Sequence, residues 1–94
     1  MRVEYWERAL TDLRQIAVYY ARSRNSAIAD KIAQRIQQII ARIAVSPLDG
    51  RAVVGRPGVR AALVPSYRYK IFHRVTGDAI RIVHIRHTSR RPYD

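Results

Sequence analysis

Residues 67–91 constrain the fold more than any other stretch of this chain. Residues 67–75 read Tyr-Arg-Tyr-Lys-Ile-Phe-His-Arg-Val, Thr-Gly-Asp follows at 76–78, and residues 79–87 read Ala-Ile-Arg-Ile-Val-His-Ile-Arg-His. Two runs rich in β-branched and aromatic residues around a short glycine-containing turn predict a β-hairpin. In the first run the odd positions are Tyr67, Tyr69, Ile71, His73 and Val75, and the even ones are Arg68, Lys70, Phe72 and Arg74. Side chains alternate across a strand, so one face is expected to be largely apolar and the other largely cationic. The second run is apolar on both parities, with Ile80 and Ile82 on one and Val83 and Ile85 on the other. That fits a strand covered on both sides, or a bulge that re-aims its end. The residues leave both open. His87, Arg90 and Arg91 follow, so a sheet with a basic face leads into a basic tail.

Ninety-four residues make one small domain, 1–94, which buries only about 60–65% of the surface its unfolded chain exposes. With 48% hydrophobic residues the chain is not of the disordered class. It has no cysteine, which excludes a disulfide framework and a cysteine-ligated zinc site. No cofactor or metal is called for. No apolar run approaches the roughly 18 residues that span a bilayer, and the charged N-terminus does not read as a signal peptide. The expected location is the cytoplasm.

The formal charge is +11, and it is unevenly spread. Residues 1–50 carry 8 basic against 5 acidic side chains, and residues 51–94 carry 10 against 2. Of the 18 basic residues 16 are arginine, whose guanidinium forks onto phosphate or carboxylate and stays charged when partly buried. Such a field favours an anionic partner, be it nucleic acid, an acidic protein or an anionic membrane. A cationic surface kept for solubility is the plainer reading.

Residues 2–5 suit a short first strand. From Trp6 to about Arg24 the pattern is helical, with Leu10, Leu13, Ala17 and Tyr20 on one face beside Ile16, and Arg8 and Asp12 on the complementary face. After a polar link at 23–26, where Asn25 or Ser26 suits an N-cap, Ile28, Ile32, Ile36, Ile39, Ile40 and Ile43 keep a period near 3.6. This stripe is most simply core. Pro47 disfavours helical geometry at Ser46 and ends the second helix. The short link predicts an antiparallel αα-hairpin. Residues 46–58, with Pro47, Gly50, Gly55, Pro57 and Gly58, read as a loop whose Arg51 and Arg56 are either solvated decoration, the reading the sequence favours, or the border of a binding surface. Residues 59–64 read as another strand. The order is β-α-α-β-β-β, an α+β fold in which the helical hairpin packs on one face of a small twisted antiparallel sheet and the other face can stay open.

Several residues then line up with a known pattern. Trp6, Ala9, Asp12 and Leu13 resemble a Trp-x-x-x-Ala-x-x-Asp-Leu opening with the alanine one residue early. Ser46-Pro47, Gly50-Arg51 and Gly58-Val59-Arg60 follow the helices, Tyr69-Lys70-Ile71-Phe72-His73-Arg74-Val75 forms a strand, and His87 and Arg90 give a His-x-x-Arg ending. Each motif is weak alone, but in this order and over nearly the full length they resemble the RelE/ParE superfamily of toxins from bacterial type II toxin–antitoxin systems, and ParE-like members more closely.

The resemblance implies the fold derived above and a cognate antitoxin that wraps and neutralises the toxin in a hetero-oligomer. It also implies one of two activities: inhibition of DNA gyrase, as in ParE-like members, or ribosome-dependent mRNA cleavage, as in RelE-like ones. Metal-independent RNA cleavage needs the 2′-hydroxyl deprotonated, the phosphorane stabilised and the leaving oxygen protonated. Under that reading Lys70, His87 and Arg90 are the catalytic candidates, with His73 and Tyr93 as further groups able to pass a proton. The lysine-bearing loop of the nucleases is not matched, because residues 51–60 carry only arginines, which are poor proton donors. The gyrase reading asks for no catalytic set and uses Arg60, Lys70, His87, Arg90 and Arg91 for target contact. His87 is equally compatible with plain sheet packing. A non-toxic nucleic-acid-binding module from outside the family is the remaining class.

Overall fold

The computed structural model describes residues 1–22 and 26–88. The chain runs β1 (Arg2–Tyr5), α1 (Glu7–Ala21), α2 (Ser26–Val45), β2 (Arg51–Ala52), β3 (Val59–Val64), β4 (Tyr69–Thr76) and β5 (Ala79–His87). One sheet has the order β1-β5-β4-β3-β2. It is antiparallel from β2 to β5, and β1 adds in parallel along Ala79–Ile82 of β5. The α+β fold stands as expected, with the sheet mixed rather than wholly antiparallel. β1 returns beside β5 only after the two helices, and a parallel neighbour requires such a long crossover.

The isoleucine stripe of α2 is core. Ile32, Ile36, Ile39, Ile40 and Ile43 are all buried against Val64, Tyr69, Ile71, Ile80, Ile82 and Ile85 of the sheet. Ile28, at 37% exposed, is left outside. In α1 the buried face is rotated from the expected one. Ala9 is fully buried, with Leu13, Ile16 and Tyr20 packed beside it, while Leu10 is 41% exposed.

Asp12 explains the rotation. Expected on the outward face, it is buried instead, and its Oδ2 accepts a hydrogen bond from the Ile85 backbone N–H at 2.9 Å. β1 pairs with β5 only as far as Ile82, whose carbonyl accepts the last bond from the Trp6 N–H at 2.9 Å. Beyond that point β5 has no strand on this side, and a buried, unpaired N–H would be costly. The carboxylate of α1 stands where the next strand would be.

The double apolar parity of β5 has both of the causes left open by the sequence. Phe72 pairs with His84 while His73 pairs with Ile82, so Val83 is an extra residue bulged from β5. The bulge shifts parity, which puts Ile80, Ile82 and Ile85 all on the helix face. Val83 turns to the other face and forms a second small core with Val59 and Phe72, joined by Val53 and Ala61. The outer face is therefore not wholly open, since residues 53–58 fold over its middle. Just before that segment, in a stretch with no periodicity to betray it, Arg51–Ala52 forms a two-residue strand along β3. Gly77, at φ +60°, takes the left-handed conformation of the β4–β5 turn.

Ile36→Ala is expected to destabilise the protein by about 2–5 kcal/mol through lost burial and a cavity. Ile28→Ala, on the same helix but outside the core, should cost less than about 1 kcal/mol. Denaturant unfolding of the two variants checks the contrast, and equal losses would remove the stripe from the core.

Candidate functional site

The sheet has two faces, and the residues singled out from the sequence divide between them. Arg60 shares its parity with Ala62 and Val64 and therefore lies on the helix side, opposite His73 in register. Its Nη1 donates to the Gly50 carbonyl at 2.7 Å. His73 is 1% exposed, and its Nε2 donates to the Pro47 carbonyl at 2.8 Å. A Cβ on Gly50 would lie 3.0 Å from the His73 Cε1 and 3.1 Å from the Ala61 carbonyl, a tight fit that favours glycine here. Arg60 and His73 thus tie the connection after α2 to the sheet. His87, half-buried, meets Tyr69 edge-on at 5.2 Å, and the Tyr69 hydroxyl reaches that of Tyr20 at 3.4 Å.

Lys70 is exposed on the opposite, outer face, directly across from Arg86. The structure does not bring Lys70 and His87 to one point, and Arg60 lies far along the sheet from both. Arg90, Arg91 and Tyr93 fall outside the described residues.

The centre of the outer face holds a residue that sequence reasoning missed. His84 stacks on Phe72 with ring centroids 4.1 Å apart and planes 9° from parallel. Its Nε2 lies 2.9 Å from Nη1 of Arg56, whose guanidinium also sits 6.0 Å from the Phe72 centroid. Arginine can only donate, so Nε2 is the acceptor and the ring is held neutral with its proton on Nδ1. Burial is the largest cause of a pKa lowered from 6.5 to about 4, followed by the Arg56 and Arg8 charges, with Asp12 opposing them. Arg56 is therefore not solvated decoration, because it fastens the 53–58 segment to the hairpin. A signal was present: Phe72 breaks the cationic parity of its strand, and His84 breaks the pattern of the facing one.

Around this centre the surface is basic. A groove of about 850 Å³ is lined by Arg42, Arg51, Arg56, Leu63, Lys70 and Arg86 among others. It borders the outer edge of β3, where β2 pairs only with Arg60 and Ala61 and leaves residues 62–64 without a strand neighbour. Among the described residues no group of three or more His, Asp or Glu side chains is placed to hold a metal ion. No helix of the described residues is long and apolar enough to cross a membrane.

Because its folded pKa lies below the unfolded value, His84 contributes stability that is complete above about pH 6.5 and is lost as pH falls toward 4. The protein should lose up to about 3 kcal/mol over that window from this group, a component that His84→Gln removes. Urea midpoints measured from neutral to acid pH check this. A pH slope unchanged in the variant would show that His84 is not the group responsible.

The comparisons with known proteins agree with this geometry. A family model described as the ParE toxin of type II toxin–antitoxin systems, parDE, matches residues 3–92. A solved structure described as the chromosomal ParDE TA system from P. aeruginosa is similar over 95% of this chain and 97% of that one, with TM-score 0.81 and 23% identity. The intact E. coli RelBE toxin–antitoxin complex is similar at TM-score 0.66 and 15% identity, over 95% of this chain and 98% of that one. The isolated E. coli RelE toxin gives the same TM-score and identity over 98% and 88%. At these identities the structural likenesses speak for the fold. No curated protein is matched by the sequence. The family model covers the chain almost end to end, and the chain belongs to the ParE family, the toxins of type II toxin–antitoxin systems.

Proposed function

We propose that this toxin acts in the cytoplasm by inhibiting DNA gyrase and is silenced by a cognate antitoxin. The observation that carries the choice of target is the separation of Lys70 and His87 onto opposite faces of the sheet. A ribonuclease would need both on one scissile phosphate, with a proton carrier within hydrogen-bond reach of the reacting oxygens. His73 is buried on the Pro47 carbonyl, and the Nε2 of His84 is occupied by Arg56. None of the three histidines stands free beside Lys70. In this reading Lys70, with Arg90 and Arg91, supplies charge for target contact, while Arg60 and His87 fix the elements that carry it.

The antitoxin partner is supported by the groove beside β3. An extended segment added along residues 62–64 would gain main-chain hydrogen bonds, and acidic side chains on it would meet Arg42, Arg51 and Lys70. Exposed Leu48, Val54 and Leu63 offer apolar contact near it. The partner segment is therefore acidic in part and apolar in part, and it orders on binding.

Two readouts test the target: supercoiling by purified gyrase, and cleavage of a translated mRNA in the ribosomal A site. The toxin should block the first and leave the mRNA intact. The charge-keeping change Arg90→Lys should weaken the block only moderately, whereas loss of one phosphorane-stabilising cation in a nuclease costs about 10²–10³ in rate. Codon-phased cuts with unimpaired supercoiling would overturn the gyrase reading.

A further inference from the structure

The outer face of the β4–β5 hairpin carries a charge arrangement that folding alone disfavours. Lys70 stands directly across from Arg86, and Arg74 directly across from Arg81. Like charges facing each other on adjacent strands are destabilising. Only Arg81 has a carboxylate partner among the described residues, the Glu4 Oε2 at 3.3 Å. Arg74 has a buried Nε with no hydrogen-bond partner. Between the two pairs lie Phe72, Val83 and His84, all buried, with Arg56 across them. From residue 70 to 74 and from 81 to 86, every outer-face side chain that solvent reaches is a cation.

We propose that this face binds the phosphate backbone of duplex DNA directly, with no other protein needed. This goes beyond the toxin reading and holds whether or not gyrase is the target. The two cationic pairs are four residues apart, about 13 Å along a strand. A single phosphate or carboxylate cannot satisfy both, so the ligand carries several charges along a line. The exposed apolar side chain and free strand edge that suit an acidic polypeptide lie beside this hairpin, at Leu63 and residues 62–64 of β3, whereas the hairpin itself offers only its row of cations. A single nucleic-acid strand is usually held by stacking its bases on exposed aromatics. Here the one aromatic pair is sealed, with Phe72 and His84 each 8% exposed. A duplex, with its bases already stacked and its phosphates outward, needs none. The pKa of His84 is lowered first by burial and then by the Arg56 and Arg8 charges, with a smaller contribution from Arg86 on this face.

The test is fluorescence anisotropy of the purified full chain with a duplex of about 20 base pairs, from about 50 to 200 mM salt. Neutralising about four phosphates gives a log–log salt slope near −3.5, and Lys70→Gln or Arg86→Gln should lower its magnitude by about 1 and weaken binding several-fold. The same two changes relieve cross-strand repulsion and should raise the melting temperature by roughly 1–5 °C, which shows that weakened binding is not unfolding. Arg14→Gln and Arg22→Gln, on the exposed side of α1, should leave binding unchanged. No measurable duplex binding, equal losses from the α1 variants, or tighter binding of single-stranded RNA or polyglutamate would each overturn the proposal. Gyrase inhibition lost while duplex binding persists would count against the gyrase reading alone.

Discussion

The hydrogen bond from the Ile85 N–H to the Asp12 carboxylate is the constraint on which the rest of the molecule depends. β5 lies between β1 and β4 and receives both α1 and α2, yet β1 accompanies it only as far as Ile82. The remaining backbone of β5 is edge strand, and an exposed edge invites pairing with other chains. α1 closes it. Placing Asp12 against β5 fixes the rotation of the helix, and that rotation decides that Ala9 rather than Leu10 meets the sheet. Arg8, 3.4 Å from the other carboxylate oxygen, screens the buried charge.

The bulge at Val83 is the second half of the same arrangement. Without it, Ile85 would share the parity of Arg81 and Val83, and the helix face would lose its last isoleucine. With it, Val83 and His84 both turn outward and leave an apolar spot on a face otherwise given to cations. Something must cover that spot, and the 53–58 segment does so with Val53 and Arg56. A one-residue insertion in a central strand thus accounts for the second core, for a neutral histidine and for the docked loop beside the groove.

The parts of this fold legible in the sequence were those with a repeating pattern. Ile32 to Ile43 at helical spacing, the alternation of residues 67–75 and the Thr-Gly-Asp turn each carry a period or a turn residue that physical rules can read. Asp12 does not. A carboxylate in an amphipathic helix is normally solvated, and only the missing neighbour of β5 makes it a core residue. Arg51–Ala52 is too short to alternate, and Arg56 lies among glycines and prolines that signal a loop without saying what the loop touches. His84 was hidden because its partner Phe72 and its donor Arg56 are joined to it only by the bulge register. Lys70 and His87 could be placed on a strand each, but their separation onto two faces follows from the same extra residue and could not be counted from spacing.

The stability of so small a domain makes the outer cations informative. Four arginine or lysine side chains face one another across a hairpin that a neutral pair at each of these cross-strand positions would hold more firmly, in a chain with little stability to spare. The helix side of the same hairpin shows that this sequence can build a closely packed apolar surface where folding asks for one. Its outer side keeps charge against charge instead, around a sealed aromatic centre that can neither stack on a base nor offer a peptide an apolar hold. A surface that works against its own fold and displays only cations is best understood as one completed by an anion the chain does not contain.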